Sequence, residues 1–204
     1  MESYMKFPID VGNFRPRELG LESEIPYESL AVLQENIQIM RDVVITLTAV
    51  ARAKGLGGHT GGPYDIVPEV LIIDALRDGG ASIHNEFFDD AGHISALQYA
   101  RAALNGKLSV DKLLQYREHA SGLAGHPECD LLDCVDFSTG RLGHAAGHVN
   151  GVAMANPEKA VVMFGSESVI FAFSHQFSSH PPQFSNVFNN AVEIFSPPVT
   201  TFIL

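Results

Sequence analysis

Apolar residues recur at three- and four-residue steps from Tyr27 onward: Leu30, Leu33, Ile37, Met40, Val44, Leu47 and Val50. That spacing lays a single apolar stripe along a helix. The glycines at 55, 57 and 58 predict its end near Lys54. Beyond the glycine-rich turn Gly57–Pro63, a second helix is expected over Asp65–Leu76, with Val67, Val70, Leu71 and Ile72 as its body and Gly79-Gly80 as its stop. Ala81–Phe88 has room for a short strand. Asp89-Asp90-Ala91-Gly92-His93 then reads as a loop with a solvated acidic pair, and Ile94–Leu104 as a helix closed by Asn105-Gly106. Ser109 is a suitable N-cap for a fourth helix reaching about His119. Val135 and Phe137 predict a strand entering the loop Ser138–His144. Gly143–Met154 reads as a helix of small residues broken at Asn156-Pro157, and Ala160–Phe164 as a buried strand.

Helices alternating with short apolar strands, with glycines at the junctions, point to an α/β fold. The expected form is a doubly wound, mainly parallel sheet flanked by helices and incomplete at its C-terminal end. Ligands in such folds bind beyond the carboxyl ends of the strands. Gly165, directly after the last buried strand, is therefore an expected ligand-facing position. No internal repeat is evident. The expected division is an N-terminal arm over 1–25, a domain over 26–166 and an atypical tail over 167–204.

Composition changes this picture in two places. The net charge of −11 argues against general nucleic-acid or anionic-membrane partners, which need basic patches. An anionic cofactor remains compatible, because backbone N–H groups can hold a phosphate. No apolar run is long enough to span a membrane, and the N-terminus carries no secretory h-region. Cys129 and Cys134, the two cysteines, lack the spacing of a zinc or redox motif and read as buried thiols in a reducing, cytoplasmic setting. The second change is at the tail. From Glu167 onward there is no Lys, Arg, Asp or Gly, while seven of the 13 phenylalanines lie there. So abrupt a shift predicts a segment that is not the natural continuation of the fold, as a retained intron or altered reading frame would give. The alternative is a genuine apolar segment that docks on a partner.

Five blocks carry the chemistry. Gly58-His59-Thr60-Gly61-Gly62-Pro63, Ala91-Gly92-His93-Ile94-Ser95, Gly125-His126-Pro127-Glu128, Ser138-Thr139-Gly140-Arg141-Leu142-Gly143-His144 and Val161-Val162-Met163-Phe164-Gly165-Ser166 occur in that order. Together they resemble the N-terminal, pyrophosphate-binding domain of the transketolase family, with transketolase-like and dihydroxyacetone-synthase-like proteins as the nearest variants. The resemblance covers about Tyr27 to Ser166. It implies a thiamine-diphosphate-binding fold that holds thiamine diphosphate with Mg²⁺ or Ca²⁺. The implied activity is transfer of a two-carbon ketol unit between sugar phosphates or to a small aldehyde.

By the same resemblance, His59 faces the donor substrate, His126 lies in the substrate channel, and His93 contacts the cofactor diphosphate. Imidazole suits these roles because it can donate or accept a proton near neutral pH. Gly140, Arg141 and Leu142 correspond to the backbone that holds the aminopyrimidine, with Arg141 in place of the family's proline. Gly143, Ala145, Ala146 and Gly147 keep a helix N-terminus clear for a ligand. A lone histidine in a glycine-rich turn is usually structural; three in family order reverse that balance. His84, His119, His144, His148, His175 and His180 keep the structural reading. A His144/His148 pair at helical spacing suits zinc but lacks a third ligand.

The pattern departs from the family at Gly165-Ser166-Glu167-Ser168. The family has Gly-Asp-Gly there, whose Asp binds the metal. Glu167 falls at that position as the candidate metal ligand, one methylene too long for a site shaped around Asp. By the resemblance, a second domain that completes the site across a dimer is expected to be missing from this chain. The expected partners are therefore a second copy or a chain carrying that domain, and the isolated chain is expected to be inactive. A truncated isoform serving as a dimerisation module is the alternative.

Overall fold

A computed structural model describes residues 6–20, 25–165, 168–172 and 200–203. Helix α1 (Tyr27–Ala53) is the expected first helix, and its stripe is the floor of the core: Leu33, Ile37, Met40, Val44 and Leu47 are all buried. It stops at the left-handed glycines Gly55 and Gly57. A short α2 (Gly61–Asp65) forms where the glycine-rich turn was expected, and the helix expected next is α3 (Val67–Asp78). Pro68 has no N–H to donate and is tolerated in a first turn, so a new helix starts there rather than continuing through Ile66.

Strand β1 (Phe88–Asp89) is much shorter than the Ala81–Phe88 window; Ile83 adds only an isolated bridge to Ala160. A 3₁₀ turn at Gly92–Ile94 leads into α4 (Ser95–Leu104). The fourth helix expected after Ser109 is a 3₁₀ segment, Val110–Gln115, without a side-chain cap from Ser109. It ends where Arg117 and Ala120 take positive φ. No strand forms at Val135–Phe137. Val135 packs into the main core, Phe137 packs against Phe88, and the Asp136 carboxylate accepts the Phe87 N–H at 3.0 Å. The apolar alternation there serves two separate cores rather than a ladder.

Helix α5 (Ala145–Ala155) and strand β2 (Val161–Phe164) follow as expected. β1 and β2 pair in parallel, with Phe88 opposite Met163 and Asp89 opposite Phe164. Every residue of β2 is buried. Val162 and Phe164 face the core of α1, α3 and α4, while Val161 and Met163 face α5. The β1–β2 pair is thus covered on both faces, which explains its unbroken apolar run. β3 (Ser168–Ala172) pairs antiparallel with β2, and β4 (Thr200–Ile203) pairs parallel with β3. A three-residue connection after Phe164 leaves no room for the crossover a parallel β2–β3 pair needs. The architecture is α/β with a small mixed sheet, in which the parallel pairings are β1–β2 and β3–β4.

The N-terminal arm is irregular and lies on the domain. Phe7 and Leu19 are buried, the Leu19 N–H donates to Ala75 at 2.8 Å, and Asn36 brackets Arg15 with two hydrogen bonds. Most of the tail, residues 173–199, lies outside the described residues, as do Ser166 and Glu167.

Candidate functional site

The histidine loops converge beyond the carboxyl ends of β1 and β2. His59 follows three glycines of positive φ, and the Thr60 hydroxyl donates to Thr48 of α1 at 2.9 Å. His93 lies in the 3₁₀ turn after β1. The His126 turn is tied to α4 and its neighbour: Ser95 donates to the Gly125 carbonyl at 2.9 Å, Tyr99 donates to the Ala124 carbonyl at 2.9 Å, and Tyr116 shares a 3.0 Å hydrogen bond with Ser95. The rings of His59 and His93 lie 4.9 Å apart. Gly92 is wedged among the other parts: a Cβ there would stand 2.8 Å from His126 Cδ2 and 2.9 Å from the Thr139 carbonyl oxygen. His59, His93, His126 and the Thr139-Gly140 backbone therefore form one cluster, although they are far apart in sequence.

Electrostatics set the state of its centre. Burial, then His59 and His126, push the His93 imidazole below its ordinary value, so it is neutral at pH 7. His59 and His126 are exposed.

Beside the cluster is a cavity of about 540 Å³, within the usual range for small-molecule sites. Ser138, Thr139, Gly140, Arg141, Phe137 and His148 are among its lining residues. Gly140, Arg141 and Leu142 are exposed, and an added Cβ at Gly140 would meet nothing within 4 Å. Gly165 is half-buried at the end of β2. His144 and His148 both line the cavity, but no group of three or more metal-binding side chains occurs among the described residues.

Three readings from the sequence are corrected here. Cys129 is an exposed thiol on the cavity wall, accepting a 3.3 Å hydrogen bond from Ser138, and Cys134 is half-buried. Asp89-Asp90 is not a solvated loop. Asp89 is 1% exposed on β1, with neither carboxyl oxygen in a hydrogen bond of good geometry, and the Thr139 hydroxyl beside it also lacks a partner. Burial pushes the Asp89 carboxyl up to about 7. Asp90 accepts the Gly143 N–H at 2.7 Å and the Ala145 N–H at 3.0 Å. The N-terminus of α5, expected to stay clear for a ligand, is occupied by the chain's own carboxylate.

The family model "Transketolase, thiamine diphosphate binding domain" matches residues 34–172. A transketolase from Staphylococcus epidermidis is 30% identical over 135 residues, covering 63% of this chain and 20% of the relative. One from Streptococcus pyogenes is 32% identical over 131 residues, covering 60% and 18%. The fold is similar to that of a transketolase mutant from Pichia stipitis, with a TM-score of 0.55 at 20% identity over 76% of this chain and 24% of that one. A Pichia stipitis transketolase in complex with sedoheptulose-7-phosphate gives a TM-score of 0.50 at 19% identity over 74% and 24%. Ligands of α/β folds bind beyond the carboxyl ends of the strands, where this cluster lies. This chain belongs to the transketolase family, in its thiamine diphosphate-binding domain. It spans about a fifth of the length of the curated relatives it matches.

Proposed function

We propose that this chain is the cofactor-binding part of a transketolase-type enzyme. The reaction would move a two-carbon ketol unit from a sugar phosphate to another sugar phosphate or to a small aldehyde, as part of sugar-phosphate metabolism. One observation carries this reading: three histidines and the Thr139-Gly140 backbone meet around Gly92 at the strand ends. When bound, thiamine diphosphate would supply the carbon nucleophile and electron sink.

The residues present fit its organic part. Gly140, Arg141 and Leu142 offer open backbone beside a cavity of sufficient size, and in this reading they hold the aminopyrimidine. His93, neutral at pH 7, would donate a hydrogen bond to the diphosphate rather than neutralise it. Gly165 would let the diphosphate approach the end of β2. His59 and His126 would face the substrate and exchange protons with its hydroxyl and carbonyl oxygens. Glu167 is the proposed ligand for Mg²⁺ or Ca²⁺ and lies outside the described residues, so no metal step is derived. In the proposed reaction an activating domain outside these residues completes the site, and these residues by themselves are expected to show no ketol transfer.

Calorimetric titration of the chain with thiamine diphosphate and Mg²⁺ tests the reading. Saturable binding that weakens at least about tenfold in His93→Ala supports it. No binding into the millimolar range overturns it. A non-enzymatic reading, association with a longer copy through a dimerisation surface, is favoured by two exposed apolar side chains, Leu142 ahead of α5 and Met154 at its C-terminal end, which are 68% and 78% exposed. It predicts association in sedimentation with no cofactor binding.

A further inference from the structure

Asp89 and Asp90 are successive residues at the carboxyl end of β1, so their side chains leave opposite faces of the sheet. Both reach the segment that follows Phe137. Asp89 points into the interior, beside the Thr139 hydroxyl and the Ala91 N–H, at a separation and angle short of a hydrogen bond of good geometry. Asp90 points to the α5 side and takes the N–H groups of Gly143 and Ala145. Between these two attachments lie only Gly140, Arg141 and Leu142. We propose that Asp89 and Asp90 form a two-sided clamp that positions Gly140–Leu142 for its ligand, with Asp89 fixing the Thr139 end and Asp90 fixing the Gly143–Ala145 end.

The loop needs such a device. Its own backbone offers a 3.4 Å hydrogen bond from His144 to Arg141 and one from Thr139 to Pro127 at 3.2 Å. Gly143 is in the left-handed region, a conformation open to glycine without strain. The exposed residues bury little apolar surface to hold the loop, so charge-assisted hydrogen bonds must do so. Asp90 also satisfies one of the orphan donors of α5, the Ala145 N–H, and sets a carboxylate against the positive end of its dipole. A ligand phosphate is thereby kept from that helix end and left to the histidine side. The Asp89 carboxyl, at about 7, is half protonated at pH 7, and its protonated form has both a donor and an acceptor to offer Thr139 and the Ala91 N–H.

Naming the ligand as thiamine diphosphate rests on the function proposed above, so the test has one arm that needs no cofactor. Amide hydrogen exchange would be followed at Gly143 and Ala145 in the full chain and in Asp90→Ala, with cofactor affinity measured by calorimetry. The expected result is exchange about tenfold faster or more at both amides in D90A, slowed again by acetate, whose carboxylate can return to the vacated N–H groups. Thiamine diphosphate should bind D90A about tenfold more weakly. Asp89→Asn, which keeps a donor and an acceptor, should match the parent in both measurements, while Asp89→Ala should weaken binding as D90A does. Unchanged exchange in D90A overturns the clamp, and faster exchange with unchanged affinity reduces it to a local cap and overturns the positioning role. If the parent chain binds no cofactor, the cofactor reading falls and the exchange arm still decides whether the clamp exists.

Discussion

Replacing Asp89 by Asn isolates one buried carboxyl and turns it into a stability measurement. The Asp89 side chain is 1% exposed, and burial is the largest influence on its titration, with the neighbouring Asp90 charge acting in the same direction. The Ala91 N–H and the Thr139 hydroxyl offset part of this, leaving the carboxyl at about 7 against an ordinary 3.8. The folded state therefore holds a proton that the unfolded state has released, across the window from about pH 4 to about pH 7. Stability must fall through that window as pH rises, and stay low above it. A shift of about 3 units at about 1.4 kcal/mol each gives a loss of about 4 kcal/mol. Asn has the same shape and no proton to lose. Urea denaturation followed by far-UV circular dichroism at pH 4.5, 6 and 8 gives the comparison. D89N should be the more stable by only about 1 kcal/mol at pH 4.5 and by several kcal/mol at pH 8. Other carboxylates titrate in both, so the difference between the curves reports Asp89. Curves parallel across the range would refute the claim that this group is buried and protonated.

Three other substitutions read different parts of the structure. A Cβ at Gly79 would stand 2.0 Å from the Leu19 carbonyl oxygen, so Gly79→Ala should detach the arm over residues 6–20 at a cost of about 1–3 kcal/mol, seen as lost protection of the Leu19 amide. Asp74 holds Arg101 through contacts of 2.6 and 2.7 Å and Arg77 at 2.7 Å, all largely buried, so Asp74→Ala should leave two cations unpaired and cost about 3–5 kcal/mol in urea denaturation. The His93 imidazole is held below its ordinary value of 6.5. The stability it contributes is thus present above that pH and lost as pH falls below it, and an NMR titration should find the His93 midpoint below 6.5.

Much of the helical scaffold is legible in the chain because it rests on local signals. The stripe from Leu33 to Leu47 has a 3.6-residue period, and left-handed glycines punctuate its end. β2 is legible for another reason: a short apolar run after Asn156-Pro157 needs burial on both faces, and the sheet provides it. What misleads is alternation without pairing. Val135, Asp136 and Phe137 look like a strand, yet they send two apolar side chains to different cores, and the carboxylate between them caps Phe87. The antiparallel return of β3 was equally hidden. Residue periodicity does not say which strand is the neighbour; a three-residue connection does.

The site divides along the same line. Each of the three histidines follows a glycine, which marks a turn, and the resemblance of the ordered blocks to the family is what makes their meeting expected. Asp89 and Asp90 carry no such mark. By composition, two adjacent carboxylates at a strand end read as solvated charge. Their actual roles depend on the pleat: one residue turns inward to the core and the next turns out to α5. That alternation becomes informative only when the strand is known to end at Asp89 rather than to pass through Ala81–Phe88. A shift of register by one residue would exchange the two faces, placing Asp89 at the N-terminus of α5 and burying Asp90. The position of a two-residue strand, Phe88–Asp89, therefore decides which carboxylate is charged and which loop end each one holds.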